Sequence, residues 1–248
     1  MFRLLIWFFC APFFFSFSQE NKGNSYVDVN YFKGYVPLHN PDILHLIKGR
    51  PEGTLIAWNQ RTDGQKEWHR HYNYPDYGTS FMFQDFQNPV LGKAYGFYGH
   101  FNFYFLKRRM MLRVGQGVVI SSNPYDKNSN PKNIAFGSKL LASPYLMLNY
   151  KKSNLIGPLG IQSGLLLFHA SNGNIKAPNT SVNTIAFNIG LNYDLGSKEI
   201  IPEYLPEEVF ISEGLKINLV FRSGLNQISV VGGSQFPFYT FTVYADKR

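Results

Sequence analysis

From Ala94 to Leu106 two kinds of residue alternate. Tyr95, Phe97, Phe101, Phe103 and Phe105 take odd positions, and Ala94, Gly96, Tyr98, His100, Asn102 and Tyr104 the even ones. Successive side chains of a β-strand point to opposite faces, so this register builds one aromatic face and one small or polar-tipped face. A dozen residues in that pattern make a strand long enough to cross a bilayer, for which about 9–11 are needed. The pattern recurs downstream. Met110, Leu112, Val114, Val118 and Ile120 alternate with Met111, Arg113, Gly115, Gly117 and Val119, and between Lys139 and Tyr150 the residues Leu140, Leu146 and Leu148 oppose Ser143 and Asn149. Ile161, Leu165 and Leu167 share a face with His169 and Ser171; Ile185, Phe187, Ile189, Leu191 and Tyr193 share one with Asn183, opposite Thr184, Asn188, Asn192 and Asp194. A basic turn (Leu106 to Arg109), an Asn/Lys/Pro-rich loop (123–133) and a short turn (151–157) punctuate these strands.

The flanks are less regular. Pro41 to Arg61 reads as a hairpin about the GRPEG turn, Thr62 to Tyr77 as a polar-aromatic loop, and Ser80 to Phe86 as a strand. Ser197 to Gly214 is acidic and carries prolines, and Leu215 to Arg222 and Phe236 to Tyr244 read as two more strands. A soluble sandwich would bury the apolar faces, whereas a membrane barrel turns them outward and keeps a polar interior.

Composition favours the second arrangement. The 248 residues are 44% hydrophobic and 17% aromatic but only 16% charged, below the usual ~25%. Met1 to Ser18 has a single Arg, an apolar run from Leu4 to Phe15 and small residues before Gln19, the pattern of a secretory signal peptide. Cys10, inside that leader, is the one cysteine, so the mature chain offers neither a disulfide framework nor a thiolate metal site. The expected fold is therefore all-β: an antiparallel outer-membrane β-barrel of about eight strands, or ten if the last two join the wall. The expected organisation is a signal peptide (1–18), an N-terminal extension (19–40), the barrel (41–196) and a loop plus additional strands (197–248). The formal charge of +8 suits an anionic partner, and phosphorylated lipid surfaces qualify as well as nucleic acid. His69-Arg70-His71 lacks neighbouring carboxylates and reads as surface loop rather than a metal pair.

Candidate chemistry gathers at Phe168 to Asn183. His169 and Ser171 are two residues apart, so on a strand the imidazole can lean towards the hydroxyl and accept its proton, the minimum for an activated serine nucleophile. On the barrel reading both lie on the lipid side of the wall with Asn183, where a polar group without a partner is costly.

Leu91 to Leu195 resembles the PagL-type lipid A deacylases, and the wider layout resembles their longer Bacteroidetes-like branch, labelled acyloxyacyl hydrolases. HASNGNIKAPN carries the likeness. It follows the family's H-x-S-N-(A/G)-G-x-x-x-P-N signature, with Asn174 in place of the second small residue. The resemblance implies an eight-stranded outer-membrane barrel that hydrolyses an acyl ester of lipopolysaccharide without metal or cofactor. Ser171 would be the nucleophile and His169 its base. Asn172 and the Gly173 amide would stabilise the oxyanion, and Asn179 would shape the loop; Lys176, from its charge and place, reads either as a contact to a lipid A phosphate or as solubilising rim charge. The departure is Asn183, which stands where the family has a Glu twelve residues after the serine. An Asn carbonyl can hold the imidazole tautomer but brings no negative charge. The implied partners are lipid A and the outer membrane, with no nucleic acid and with a homodimer left open. The competing readings are a non-catalytic structural or adhesive barrel and a soluble glycan-binding sandwich.

Overall fold

The computed structural model describes residues 24–196, 214–227 and 230–247; the leader expected at 1–18 and most of the acidic segment lie outside the described residues. The wall consists of β1 (Ser25–Tyr35), β2 (Glu52–Gln60), β3 (Asp76–Asp85), β4 (Lys93–Phe105), β5 (Met110–Ser121), β6 (Leu140–Ile156), β7 (Leu159–Ala170) and β8 (Val182–Asp194). Each strand pairs antiparallel with the next, and β1 closes on β8 in a register running from Tyr26–Asp194 to Tyr35–Ile185. Closure leaves the wall no free edge. The last two strands accordingly stay out of it: β9 (Lys216–Gln227) and β10 (Gln235–Asp246) form a separate two-stranded sheet, and the wall has eight strands rather than ten.

Two boundaries differ from the sequence reading. The barrel begins at Ser25, inside the stretch expected as an N-terminal extension at 19–40, because inward Asp28 and Asn30 disguise a wall strand as a polar segment. Pro41 to Arg61 is not a hairpin. Pro41–Leu46 is a turn of 3-10 helix whose Asn40 side chain accepts the Asp42 N–H at 3.0 Å, and only the second half is a strand, β2, paired with β1 and β3. The loop between β2 and β3 also holds a short helix, α1 (Glu67–His71), and buries His69 instead of exposing it.

Burial alternates along every wall strand as the pattern requires: Tyr95, Phe97, Phe101 and Phe105 face out, while Tyr98, His100, Asn102 and Tyr104 face in. Because strands alternate direction, the segments at 36–51, 86–92, 122–139 and 171–181 gather at one end, and 61–75, 106–109 and 157–158 gather at the other. The interior changes character between the ends. Under the first group of loops it is apolar, with Phe32, Ile43, Leu46, Phe86, Phe136 and Phe168 fully buried. At mid-height Gly96 and Gly115 leave room for the rings of Tyr98 and Tyr145, which meet edge-on at 4.8 Å and hydrogen-bond Ser143 (3.0 Å) and Ser80 (2.7 Å).

Below them the interior is ionic. Arg113, fully buried, donates to both Asp28 carboxylate oxygens (3.2 and 2.7 Å), to Asn102 Oδ1 (2.7 Å) and to Asn59 Oδ1 (3.0 Å). Asp28 also accepts from Asn30 (2.6 Å) and Asn59 (2.8 Å). A buried charge pair persists when its remaining donors and acceptors are satisfied in this way.

Candidate active site

The site grows from the ends of β7 and β8. On β7 the outward parity runs Ile161, Leu165, Leu167, His169, and on β8 it runs Asn183, Ile185, Phe187, Ile189, so the polar members sit at one rim of an apolar belt. His169 lies directly opposite Asn183 in the ladder. Side chains so placed have Cβ atoms about 5 Å apart, and here His169 Nδ1 meets Asn183 Oδ1 at 2.7 Å. A carbonyl oxygen only accepts, so Nδ1 is the donor of this bond and Nε2 is the ring nitrogen left for a second partner. Both residues are half-buried.

Ser171 stands one step past the end of β7. An isolated bridge to β6 fixes its backbone, with Ala142 N–H donating to Ser171 O (2.7 Å) and Ser171 N–H to Ala142 O (3.1 Å). Its Oγ accepts from the Gly173 N–H at 3.0 Å and from Asn179 Nδ2 at 2.9 Å. Among the described residues its hydroxyl partners lie in this loop, and no hydrogen bond joins it to His169. Gly173 has φ +65°, and a Cβ there would meet open space, so conformation and not crowding calls for glycine.

The other sequence-derived candidates divide. Asn179 is the hub: its Oδ1 accepts the Asn172 N–H (2.9 Å), and its Nδ2 also donates to Asn174 Oδ1 (2.9 Å). Asn172 instead turns into the loop, 4% exposed, and spends its amide on the Lys176 carbonyl at 2.6 Å. That side chain is thus buried in the loop with one of its two N–H groups engaged. Lys176 itself is exposed. Nearby, the Ser129 N–H and hydroxyl and the Asn128 N–H hold the Asp126 carboxyl below the usual carboxylate range, with Lys176 adding to the effect.

Two supports gave no sequence signal. The loop at 122–139 braces the site through Ile134 O, which accepts from Thr180 N–H and Oγ1, both at 3.1 Å. The tip of the β9–β10 hairpin braces it from the other side. Gln227 N–H donates to Asn174 O (2.8 Å), Gln227 Oε1 accepts the Ala177 N–H (2.6 Å), and Gln235 Nε2 donates to Ile175 O (2.6 Å). These glutamines lie some fifty residues downstream, in no periodic relation to the motif. Among the described residues no group of three or more His, Cys, Asp or Glu is arranged to hold a metal.

Comparison with known proteins follows the same region. No curated protein matches the chain in sequence. The crystal structure of the outer membrane enzyme PagL is 17% identical, covering 66% of this chain and 97% of that one with a TM-score of 0.43. Neisserial surface protein A is 12% identical, covering 71% and 99% with a TM-score of 0.43. Residues 52–192 match the model of the PagL lipid A 3-O-deacylases, from the start of β2 to near the end of β8 and including the His169–Ser171 motif. With more than half its length matched, the chain belongs to the PagL family of lipid A 3-O-deacylases.

Proposed function

We propose that this outer-membrane barrel is a serine esterase that removes the 3-O-linked acyl chain of lipid A, with Ser171 as nucleophile, His169 as its general base and Asn183 as the residue that orients the imidazole. The observation that carries the reading is the His169 Nδ1–Asn183 Oδ1 bond of 2.7 Å, which occupies Nδ1 and leaves Nε2 as the ring nitrogen available to a serine two residues along the chain. Outer-membrane barrels carry their longer loops outside and short turns at the periplasm. The loop at 171–181 thus belongs to the leaflet that holds lipid A.

Lipid A slides along the belt of Leu165, Leu167, Ile185 and Phe187 until an ester carbonyl reaches Ser171. The hydroxyl turns from Asn179 to Nε2 of His169, gives up its proton and attacks the carbonyl carbon. The Gly173 N–H and Asn179 Nδ2, which converge on Ser171 Oγ at 3.0 and 2.9 Å, are the donors best placed for the developing oxyanion, a role the buried Asn172 side chain leaves to them. The imidazolium returns its proton to the sugar oxygen as the C–O bond breaks. Water, activated by His169, then releases the fatty acid. Lys176, exposed beside the site, suits a lipid A phosphate.

The test is mass spectrometry of lipid A from a Gram-negative host expressing the chain. A species lacking one 3-O-acyl group is expected, and unaltered lipid A would instead favour a non-catalytic barrel. Asn183→Glu supplies the family's carboxylate. A charged acceptor strengthens the hydrogen bond to the imidazolium by about 1–1.5 kcal/mol, so kcat is expected to rise about tenfold. Gln227→Ala orphans the Ala177 N–H and slackens the loop beneath Ser171. A fall in kcat of about tenfold is expected with the barrel's urea midpoint unchanged, since β9 and β10 lie outside the wall.

A further inference from the structure

We propose that the end of the barrel opposite Ser171 holds a phosphate-bearing anion, supplied either by a phospholipid headgroup of the periplasmic leaflet or by free phosphate. A cavity of about 160 Å³ opens there, lined by cations from three segments: Arg61 after β2, Lys107, Arg108 and Arg109 in the β4–β5 turn, and Lys151 and Lys152 on β6. It is separate from the ester site. Ser171 bridges to Ala142, and Lys151 lies nine residues further along β6, roughly 30 Å away at strand rise.

Two of the six cations are committed. Arg61 forms a bidentate pair with Asp194 (3.0 and 2.7 Å), and Arg108 pairs with Asp76 (2.9 Å) while lying over the Tyr104 ring at 3.7 Å. The other four have no ion pair among the described residues. Lys151 is the telling one. It is 6% exposed, and its Nζ lies 3.6 Å from the centre of the Tyr26 ring and 3.4 Å from the Tyr104 hydroxyl, with no carboxylate at ion-pair distance. An ammonium three-donor head needs acceptors, and an aromatic face with one hydroxyl satisfies it only in part. A phosphate oxygen entering the cavity would complete it, while Lys107, Arg109 and Lys152 at the mouth would meet the remaining negative charge. Tyr26 and Tyr104 both hydrogen-bond Asp76, so the floor is held rigid by neutral hydroxyls and does not collapse onto the lysine.

Full-length protein is purified in a zwitterionic detergent, then either titrated with inorganic phosphate by calorimetry or reconstituted with equal phosphatidylglycerol and phosphatidylcholine and examined by native mass spectrometry. Retention of phosphatidylglycerol about tenfold over phosphatidylcholine is expected, falling about tenfold in Lys151→Met and in the triple variant Lys107→Gln/Arg109→Gln/Lys152→Gln. The triple variant alters only the mouth of the cavity and guards against failure of Lys151→Met to fold. Lipid retention lost in both variants assigns the site to a headgroup. Phosphate binding that depends on Lys151, without lipid preference, assigns it to the free anion. Binding of neither, or binding equal in wild type and both variants, overturns the proposal.

Discussion

Ser171→Ala is expected to abolish release of the acyl chain, with a fall in kcat on the order of 10⁴-fold or more and little change in stability. Removal of the nucleophile of a serine hydrolase leaves only what substrate positioning and oxyanion donors contribute. The hydroxyl's partners are the Gly173 N–H and Asn179, both in an exposed or half-buried loop where water can replace a lost acceptor. The backbone bridge to Ala142 does not involve the side chain. On the proposed roles, His169→Ala should cost a comparable factor, and the double variant should be no worse than either single one, because a base and a nucleophile that act as a unit lose their effect together. Lipid A mass spectrometry and a fatty-acid release assay on purified protein read the same quantity. Retained turnover in Ser171→Ala would remove the serine from the mechanism and leave the Asn183-held imidazole to act on water directly.

The largest effect on stability is expected at Arg113. Replacing it with Met leaves Asp28 as a buried carboxylate without its cation and strips donors from Asn59 and Asn102. Breaking one side of a buried pair costs about 3–5 kcal/mol, because the surviving charge is stranded. The urea midpoint of the reconstituted barrel should fall accordingly, and a gel assay of heat-modifiability should show a larger unfolded fraction. The double variant Arg113→Met/Asp28→Asn separates pair energy from stranded charge. It should recover a large part of the loss, since removal of both charges leaves neutral groups that still hydrogen-bond one another. A double variant as unstable as the single would mean that packing of the arginine stem dominates.

Most of the wall was legible because lipid and interior impose opposite demands on adjacent residues. In β4 every aromatic at an odd position faces out, and the strand can be read letter by letter. β1 obeys the same rule, but its inward side chains are Asp28 and Asn30 and its outward face includes Lys33, so polarity concealed the alternation. The hairpin shows the converse difficulty. Ile217, Leu219 and Phe221 alternate as wall residues do, yet β1 pairs with β8 and the pattern alone cannot say which edges pair. At the site, parity placed His169 and Asn183 on one face, since a two-residue period fixes the face of a strand, but their direct opposition comes from the β7–β8 register, which the pattern does not state. It could not reach Asn179 as a partner of Ser171 Oγ, nor the inward turn of Asn172, because loop conformation follows hydrogen bonds between residues with no periodic relation.

The interior has a bearing on how the cell can use this protein. Among the described residues Phe32, Phe86 and Phe136 are buried inside the bore at one end, and the Arg113–Asp28 cluster occupies its middle. A bore packed in this way is expected to conduct neither ions nor small solutes, and single-channel recording in planar bilayers checks it. Copy number can then rise with the demand for remodelled lipid, and the permeability barrier of the envelope stays as it was.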